Sequence, residues 1–277
     1  MNARMVGVLG RRVEVVDFVA AAREGAALVF LHEGLGSAKQ WRDFPARVGE
    51  GSGLAALAYS RLGYGGSDPV TLPRPLDYME DEARRFLPAL LDALALDSVV
   101  LVGHSDGASI ALVHAALDGG KRVRGLVLEA PHVFVEDVSV ASIADAREAF
   151  DNGDLREKLA KHHGDNVDVA FRGWNDAWLD PAFRAWNLEA YLPQIDVPVL
   201  VIQGDDDPYG TRAQVDAIAR QVRGPVEVLM LPRCGHSPHR DQPEAAAVAM
   251  IAFAKSLATE AAELRLTALR HAGKGDR

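Results

Sequence analysis

A glycine-flanked segment at residues 103–107 carries the first side chain that could do covalent chemistry. Its letters are G-H-S-D-G, with Ser105 at the centre, and it lies between an apolar, β-branched run and a segment with helical patterning. A Gly-x-Ser-x-Gly turn between a strand and a helix places the serine on strained backbone and exposes its hydroxyl. The motif also occurs as an ordinary turn, so a catalytic role for Ser105 requires a base and an acid elsewhere in the chain.

A serine hydroxyl needs a histidine to take its proton and a carboxylate to orient that histidine. Active sites of open parallel sheets lie beyond the carboxyl ends of the strands. Three consecutive aspartates at 205–207 directly follow one predicted strand, and His236 follows the next. The order serine, aspartate, histidine therefore predicts a catalytic triad, and the residues themselves leave the three aspartates open.

Strands and helices alternate along the chain that must position these residues. Apolar runs predict strands at 12–19, 26–31, 54–59, 99–102, 123–128, 197–202 and 226–231, the first at a sheet edge. Helical spacing predicts helices at 41–48, 78–96 (weakened by Pro88), 108–117 and 213–222, and one long helix or two from 243 to about 268, before a disordered tail at 273–277. This alternation is typical of an α/β domain with a mostly parallel sheet covered on both faces.

The chain resembles the α/β-hydrolase family over nearly its whole length. The resemblance rests on the segment 32–36 (H-E-G-L-G), the glycine-rich loop at 63–67, the turn around Ser105, and Gly235-His236 near the end. It implies an eight-stranded, mostly parallel sheet with helices on both faces and an inserted helical cap. We expect the core to comprise 1–134 and 193–277, and the cap to comprise 135–192, where strand-like runs are scarce.

The resemblance also implies roles for particular residues. The acid of the family usually lies three residues after the glycine that closes the strand, which indicates Asp207, with Asp206 as the alternative. The oxyanion hole would use the backbone N–H of Gly34, by similarity, and that of Asp106, which follows from the geometry of the turn. Glu33 departs from the family pattern, which usually has glycine at this position.

Several further side chains are candidates for the substrate pocket. They are His32, Glu33, Trp41, His132, Trp174 and Trp178. For His132 a packed, structural role is an equal alternative. Of the three tryptophans at 174, 178 and 186, two are expected in the core of the cap. All three would share one face if they lay on one helix. The two histidines at 162–163 are expected at a solvated helix end. His236 and His239 are three residues apart, but they lack the further ligands that a metal site needs.

Composition restricts the partners. The formal net charge of −9 argues against nucleic acid and anionic membranes, which attract basic surfaces. The single cysteine, Cys234, excludes an intrachain disulfide, and neither a membrane-spanning apolar stretch nor a signal peptide is evident. We expect a cytoplasmic monomer or homodimer whose partner is a small-molecule substrate.

These residues predict a serine hydrolase that needs neither cofactor nor metal. The substrate would be a small to medium carboxylic ester, thioester or lactone, cleaved through an acyl-enzyme. Hydrolysis of a carbon–carbon bond in a diketone and cofactor-free perhydrolysis are alternatives on the same triad. A ligand-binding protein without catalysis is a further alternative from another class.

Overall fold

The computed structural model describes residues 2–20 and 25–272; the tail at 273–277 lies outside the described residues. Eight strands form one sheet in the order β1-β2-β4-β3-β5-β6-β7-β8. The strands are β1 (Asn2–Val8), β2 (Arg11–Val19), β3 (Ala27–Leu31), β4 (Ala55–Tyr59), β5 (Val99–His104), β6 (Val123–Glu129), β7 (Val199–Gly204) and β8 (Val226–Leu231). The pairs β1–β2 and β2–β4 are antiparallel, and the other neighbours are parallel. The predicted fold class is confirmed.

The helices cover both faces of the sheet. They are α1 (Phe44–Ser52), α2 (Tyr78–Asp81), α3 (Leu87–Ala93), α4 (Asp106–Asp118), α5 (Asp137–Asp151), α6 (Leu155–His163), α7 (Val167–Leu179), α8 (Arg212–Gln221), α9 (Pro238–Asp241) and α10 (Pro243–Ala272). Among the described residues, no helix combines the length and the apolar character needed to cross a membrane.

Strand β3 shows why the central strands are apolar throughout. Leu28 and Phe30 pack into a core with α1 and α10, whereas Val29 and Leu31 pack into a second core on the opposite face. Successive side chains of a strand point to opposite faces, so a strand covered on both sides must be apolar at every position. All five residues of β3 are buried.

Three elements differ from the sequence prediction. Strand β1 was missed, so β2 is not the edge strand; most of the β1 side chains are exposed and give little apolar pattern. The helix predicted at 78–96 comprises α2, a π-helical turn at Glu82–Phe86, and α3. Pro88 lacks the N–H that an α-helical ladder needs, which accounts for the altered register before it. The helix predicted at 41–48 is α1, displaced towards the C-terminus.

The segment between β6 and β7 is helical, as the scarcity of strand-like runs indicates. Helices α5, α6 and α7 pack on one another, and 3₁₀ turns at Pro181–Ala185 and Glu189–Gln194 lead back to the sheet. Phe150 of α5 stacks on Phe171 of α7 with ring centroids 3.7 Å apart. Trp174 and Trp178 lie on α7, but Trp186 follows a 3₁₀ turn, so the three tryptophans do not share one helix.

Candidate active site

Ser105 occupies the turn between β5 and α4. Its backbone has φ 54° and ψ −117°, a conformation that costs free energy for a residue with a side chain. The turn is tight because glycines flank it: a Cβ on Gly103 would lie 2.4 Å from the carbonyl oxygen of Gly107, and one on Gly107 would lie 2.1 Å from that of Leu31. The Ser105 N–H donates to the carbonyl of Glu129 at 2.9 Å, which ties the turn to β6.

Asp207 and His236 form a close pair. The Nδ1 atom of His236 lies 2.9 Å from each carboxylate oxygen of Asp207. The carboxylate also accepts hydrogen bonds from Gln203 Nε2 at 2.7 Å and from the N–H of Tyr209 at 2.8 Å. Burial raises the pKa of Asp207, but His236 and the Tyr209 N–H outweigh burial and hold the pKa below its ordinary value. Asp207 therefore stays ionised beside the imidazole.

The two neighbouring aspartates do not take this position. The side chains of Asp205 and Asp206 are exposed, whereas that of Asp207 is 1% exposed. The backbone N–H of Asp206 donates to the carbonyl of Cys234 at 3.0 Å, which ties the aspartate loop to the loop that carries His236. Among the three aspartates that the sequence left open, Asp207 is the one that contacts His236.

Ser105 and His236 line the same cavity, whose volume is about 90 Å³. Eight further residues line it, six of them predicted as oxyanion or pocket residues and two of them missed; they are Glu33, Gly34, Leu35, Asp106, His132, Ile143, Trp174 and Trp178. Tyr209 completes the wall. Leu35 and Tyr209 could have been found because each lies within two residues of a predicted site residue, whereas Ile143 on α5 gives no such signal.

The prediction that His32 and Trp41 line the cavity is wrong. Both side chains are buried away from it. Trp41 packs on the rings of Phe30 and His239, at centroid distances of 5.1 and 4.5 Å. His32 Nε2 accepts the N–H of Arg61 at 3.0 Å, so its Nδ1 carries the proton and donates to the carbonyl of Glu33 at 2.7 Å. Burial and the Arg61 charge hold the pKa of His32 well below its ordinary value.

Arg61 was not among the predicted site residues. It contacts both segments that carry the proposed oxyanion donors, the loop before Gly34 and the start of α4. Its guanidinium donates to the carbonyls of His32 at 2.8 Å and Glu33 at 3.0 Å, and lies 3.8 Å from the Asp106 carboxylate. The Tyr78 hydroxyl donates to the same carboxylate. Burial raises the pKa of Asp106, and the Arg61 charge opposes that rise only in part. The backbones of Gly34 and Asp106 are thus held from behind the cavity.

His163 also differs from its expectation. It was expected at a solvated helix end, but its side chain is buried. The ring accepts a hydrogen bond from the N–H of Gly65 at 3.1 Å, and its Nε2 donates to the carbonyl of Leu35 at 3.0 Å. Burial lowers its pKa, which favours the neutral ring that this pair of bonds requires. His163 thus connects α6 with the loop that carries Gly34.

Comparison with known proteins gives a match to the model of the alpha/beta hydrolase family over residues 28–249. The human serine hydrolase BPHL is 26% identical over 193 residues, 67% of this chain and 64% of that protein. The aligned region thus spans less than two thirds of that relative. The proline iminopeptidase of Lactobacillus delbrueckii subsp. lactis is 24% identical over 264 residues, 79% of this chain and 87% of that protein.

Solved structures share the fold. A serine hydrolase involved in carbazole degradation superposes with a TM-score of 0.71, at 18% identity, covering 91% of this chain and 98% of that one. A proline iminopeptidase from Mycobacterium smegmatis superposes with a TM-score of 0.69, also at 18% identity, covering 94% and 100%. At these identities the superpositions support the architecture alone.

Proposed function

The chain belongs to the alpha/beta hydrolase family, and from this premise we propose that it is a serine hydrolase of small to medium carboxylic esters, thioesters or lactones. One observation carries the proposal. Ser105 on its strained turn and His236 paired with Asp207 line one cavity. Their roles, like the roles of the oxyanion residues, are part of the proposal.

The reaction would begin with attack of the Ser105 hydroxyl on the substrate carbonyl. Because the Nδ1–H of His236 donates a hydrogen bond to Asp207, the neutral ring has its lone pair on Nε2 and can take the serine proton. Asp207 then stabilises the imidazolium, which gives its proton to the departing alkoxide or thiolate and so releases an alcohol or a thiol group. Water attacks the acyl-enzyme with the same base and releases the acid and the free serine.

The negative charge that develops on the carbonyl oxygen would be bound by the backbone N–H groups of Gly34 and Asp106. Both residues line the cavity beside Ser105. Fixed donors stabilise the transition state because they need no reorganisation when the charge forms. The bonds from Arg61 to the carbonyls before Gly34 supply that rigidity on one side. The start of α4 supplies it on the other.

The cavity favours a short, apolar acyl group. Its walls include Leu35, Ile143, Trp174 and Trp178, and its volume is about 90 Å³. Apolar walls with a few convergent polar groups are typical of small-molecule sites. Three of these four residues, Ile143, Trp174 and Trp178, belong to the helical insertion, so this segment would take part in selecting the acyl group.

A fluorophosphonate reagent tests the nucleophile directly. We expect a single adduct that peptide mapping assigns to Ser105, no adduct in Ser105→Ala, and an unchanged adduct in Ser256→Ala, which alters an exposed serine on α10. His236→Ala should lose ester turnover and react slowly with the reagent. A label at another residue, or normal turnover by His236→Ala, contradicts the proposed triad.

A substrate panel tests the class of reaction. Short-chain esters, thioesters and lactones should be hydrolysed, with rates that fall as the acyl chain lengthens. Turnover of vinylogous diketones without turnover of esters would favour carbon–carbon bond hydrolysis instead. Peroxide-dependent peracid formation that exceeds hydrolysis would favour perhydrolysis. Saturable binding with no turnover of any member would favour a ligand-binding protein.

A further inference from the structure

His104, directly before Ser105, is completely buried, with an acceptor at Nε2 and a carboxylate near Nδ1, which makes no hydrogen bond within the described part of the chain. Its Nε2 lies 2.6 Å from the backbone carbonyl oxygen of His236. Its Nδ1 lies 3.5 Å from a carboxylate oxygen of Glu33. One ring thus bridges the loop that carries His236 and the loop that carries Gly34, on either side of Ser105.

This arrangement favours a doubly protonated ring. A neutral imidazole has one N–H, and the short contact with the His236 carbonyl places it on Nε2. The lone pair on Nδ1 would then face the Glu33 carboxylate inside the protein, where such repulsion is weakly screened. Protonation of Nδ1 replaces that repulsion by attraction between opposite charges; at 3.5 Å the contact is an ion pair rather than an aligned hydrogen bond.

The charges around the ring agree with this state. Burial lowers the pKa of His104, but the carboxylates of Glu33 and Glu129 and the His236 carbonyl raise it above its ordinary value overall. Burial raises the pKa of Glu33, but His104 and Arg240 hold it well below its ordinary value. Arg240 lies 3.6 Å from the other oxygen of Glu33 and is 41% exposed.

We propose that His104 is a positioning residue: as an imidazolium paired with Glu33, it joins the oxyanion loop to the catalytic-histidine loop. The proposal rests on the function proposed above, since it assumes that His236 is the base and that Gly34 binds the oxyanion. It also gives Glu33, which departs from the family pattern, a role adjacent to Gly34. Glu33 sets the charge of His104 instead of contacting the reacting atoms.

The other groups that face His104 do not replace Glu33. Glu129, at the end of β6, is bound by His239 of α9, whose Nδ1 lies 2.7 Å from a Glu129 oxygen. The rings of His236 and His239 each have centroids 5.1 Å from that of His104, and the Trp41 ring is at 6.2 Å. Glu33 is therefore the carboxylate that directly balances the His104 charge.

The sign of the pH effect follows from the raised pKa of His104. The ion pair contributes fully below the ordinary histidine value of 6.5 and is lost as pH rises through the higher pKa of the folded protein. Because the pKa of Glu33 is low, its carboxylate stays ionised as the pH falls, and the ion pair is kept at acid pH. Activity should therefore have an alkaline limb that follows the deprotonation of His104.

The test compares wild type with Glu33→Gln and Arg240→Gln in protein labelled with ¹⁵N-histidine. The ring signals of His104 are assigned by their loss in His104→Gln, and their shifts are recorded against pH together with kcat and KM. We expect two protonated ring nitrogens in wild type at pH 6.5. In Glu33→Gln the titration midpoint should move down by about one pH unit or more, since a carboxylate at this distance is gone.

The alkaline limb of kcat should move with that midpoint in Glu33→Gln. Arg240→Gln is the matched control, because it removes the other partner of Glu33 and keeps the His104 pair; its midpoint should not move down. His104→Gln keeps an N–H donor for the His236 carbonyl without the charge, and it should lower kcat about ten- to a hundredfold with a smaller change in KM.

Two results would overturn the proposal: a neutral His104 ring in wild type at pH 6.5, or equal titration midpoints in wild type and Glu33→Gln. Neither depends on the kinetics of His104→Gln, and if that variant does not fold, the ring signals are assigned in wild type by through-bond correlation with the backbone of residue 104. Failure of the proposed function would be distinct, because it would be seen as an unlabelled Ser105 or as turnover by His236→Ala. The ring-nitrogen measurement needs no substrate and separates the two cases.

Discussion

The guanidinium of Arg61 lies 3.8 Å from the carboxylate of Asp106, and both side chains are almost fully buried. Arg61 follows β4 and Asp106 begins α4, so the pair joins the loop after β4 to the start of α4 at the carboxyl edge of the sheet. Removing one member of a buried pair leaves the other charge without compensation, which costs far more than losing a surface pair.

Arg61→Met should therefore destabilise the protein by about 3–5 kcal/mol in urea unfolding at neutral pH. The matched control is Arg156→Met, which breaks an exposed pair with Asp168, 50% and 55% exposed; it should cost less than about 1 kcal/mol. Similar losses in the two variants would contradict a structural role for the buried pair.

Asp207→Asn should lower kcat for ester hydrolysis by roughly 10⁴-fold while the fold is kept. An amide at this position favours the wrong tautomer of His236 and cannot stabilise the imidazolium. Asp206→Asn is the control, since its side chain is exposed and its contact with the Cys234 carbonyl uses the backbone. Kinetics of both variants at one pH, with circular dichroism to check the fold, decide between the two aspartates.

The turn around Ser105 could be predicted because its signal is local: strand, two glycines and helix are consecutive in the sequence. The alternation that predicts a parallel sheet is equally local, and the fold class and the family are confirmed. The partners of Asp106 could not be predicted, because Arg61 reaches it from the loop after β4 and Tyr78 from α2, both distant in the sequence. Strand β1 gave no signal because its ladder with β2 depends on backbone bonds and its side chains are mostly exposed.

His132 makes stability depend on pH in the acid range. Burial and the neighbouring His236 lower its pKa to about 3. Between the ordinary value of 6.5 and about 3 the unfolded chain binds a proton that the folded chain does not, so stability falls as pH falls, by up to about 1.4 kcal/mol per pH unit.

Replacement of His132 by Asn removes this proton uptake. Urea unfolding at pH 6.5 and at pH 4.5 should show a smaller loss of stability in His132→Asn than in wild type. His162→Asn, which alters an exposed ring in α6, is the control, and it should have a smaller effect on the loss of stability between pH 6.5 and pH 4.5. An unchanged difference in His132→Asn would show that its ring is protonated in the folded protein.

The position of Gly34 against Trp174 gives a steric test of the oxyanion loop. A Cβ on Gly34 would lie 2.2 Å from Trp174 Nε1, and the indole belongs to a rigid, buried ring, so either the loop or the ring must move. Loss of one oxyanion donor costs about 10²–10³ in kcat, and Gly34→Ala should approach that loss if the loop moves.

Gly34→Ala combined with Trp174→Ala removes the obstructing ring and should recover part of the lost kcat, although KM will rise because the ring lines the cavity. Gly7→Ala is the control, since a Cβ there meets nothing within 4 Å and kcat should not change. Recovery in the double variant would show that the loss came from displacement of the N–H at residue 34. An equal loss in both variants would show that the added methyl group itself blocks the substrate.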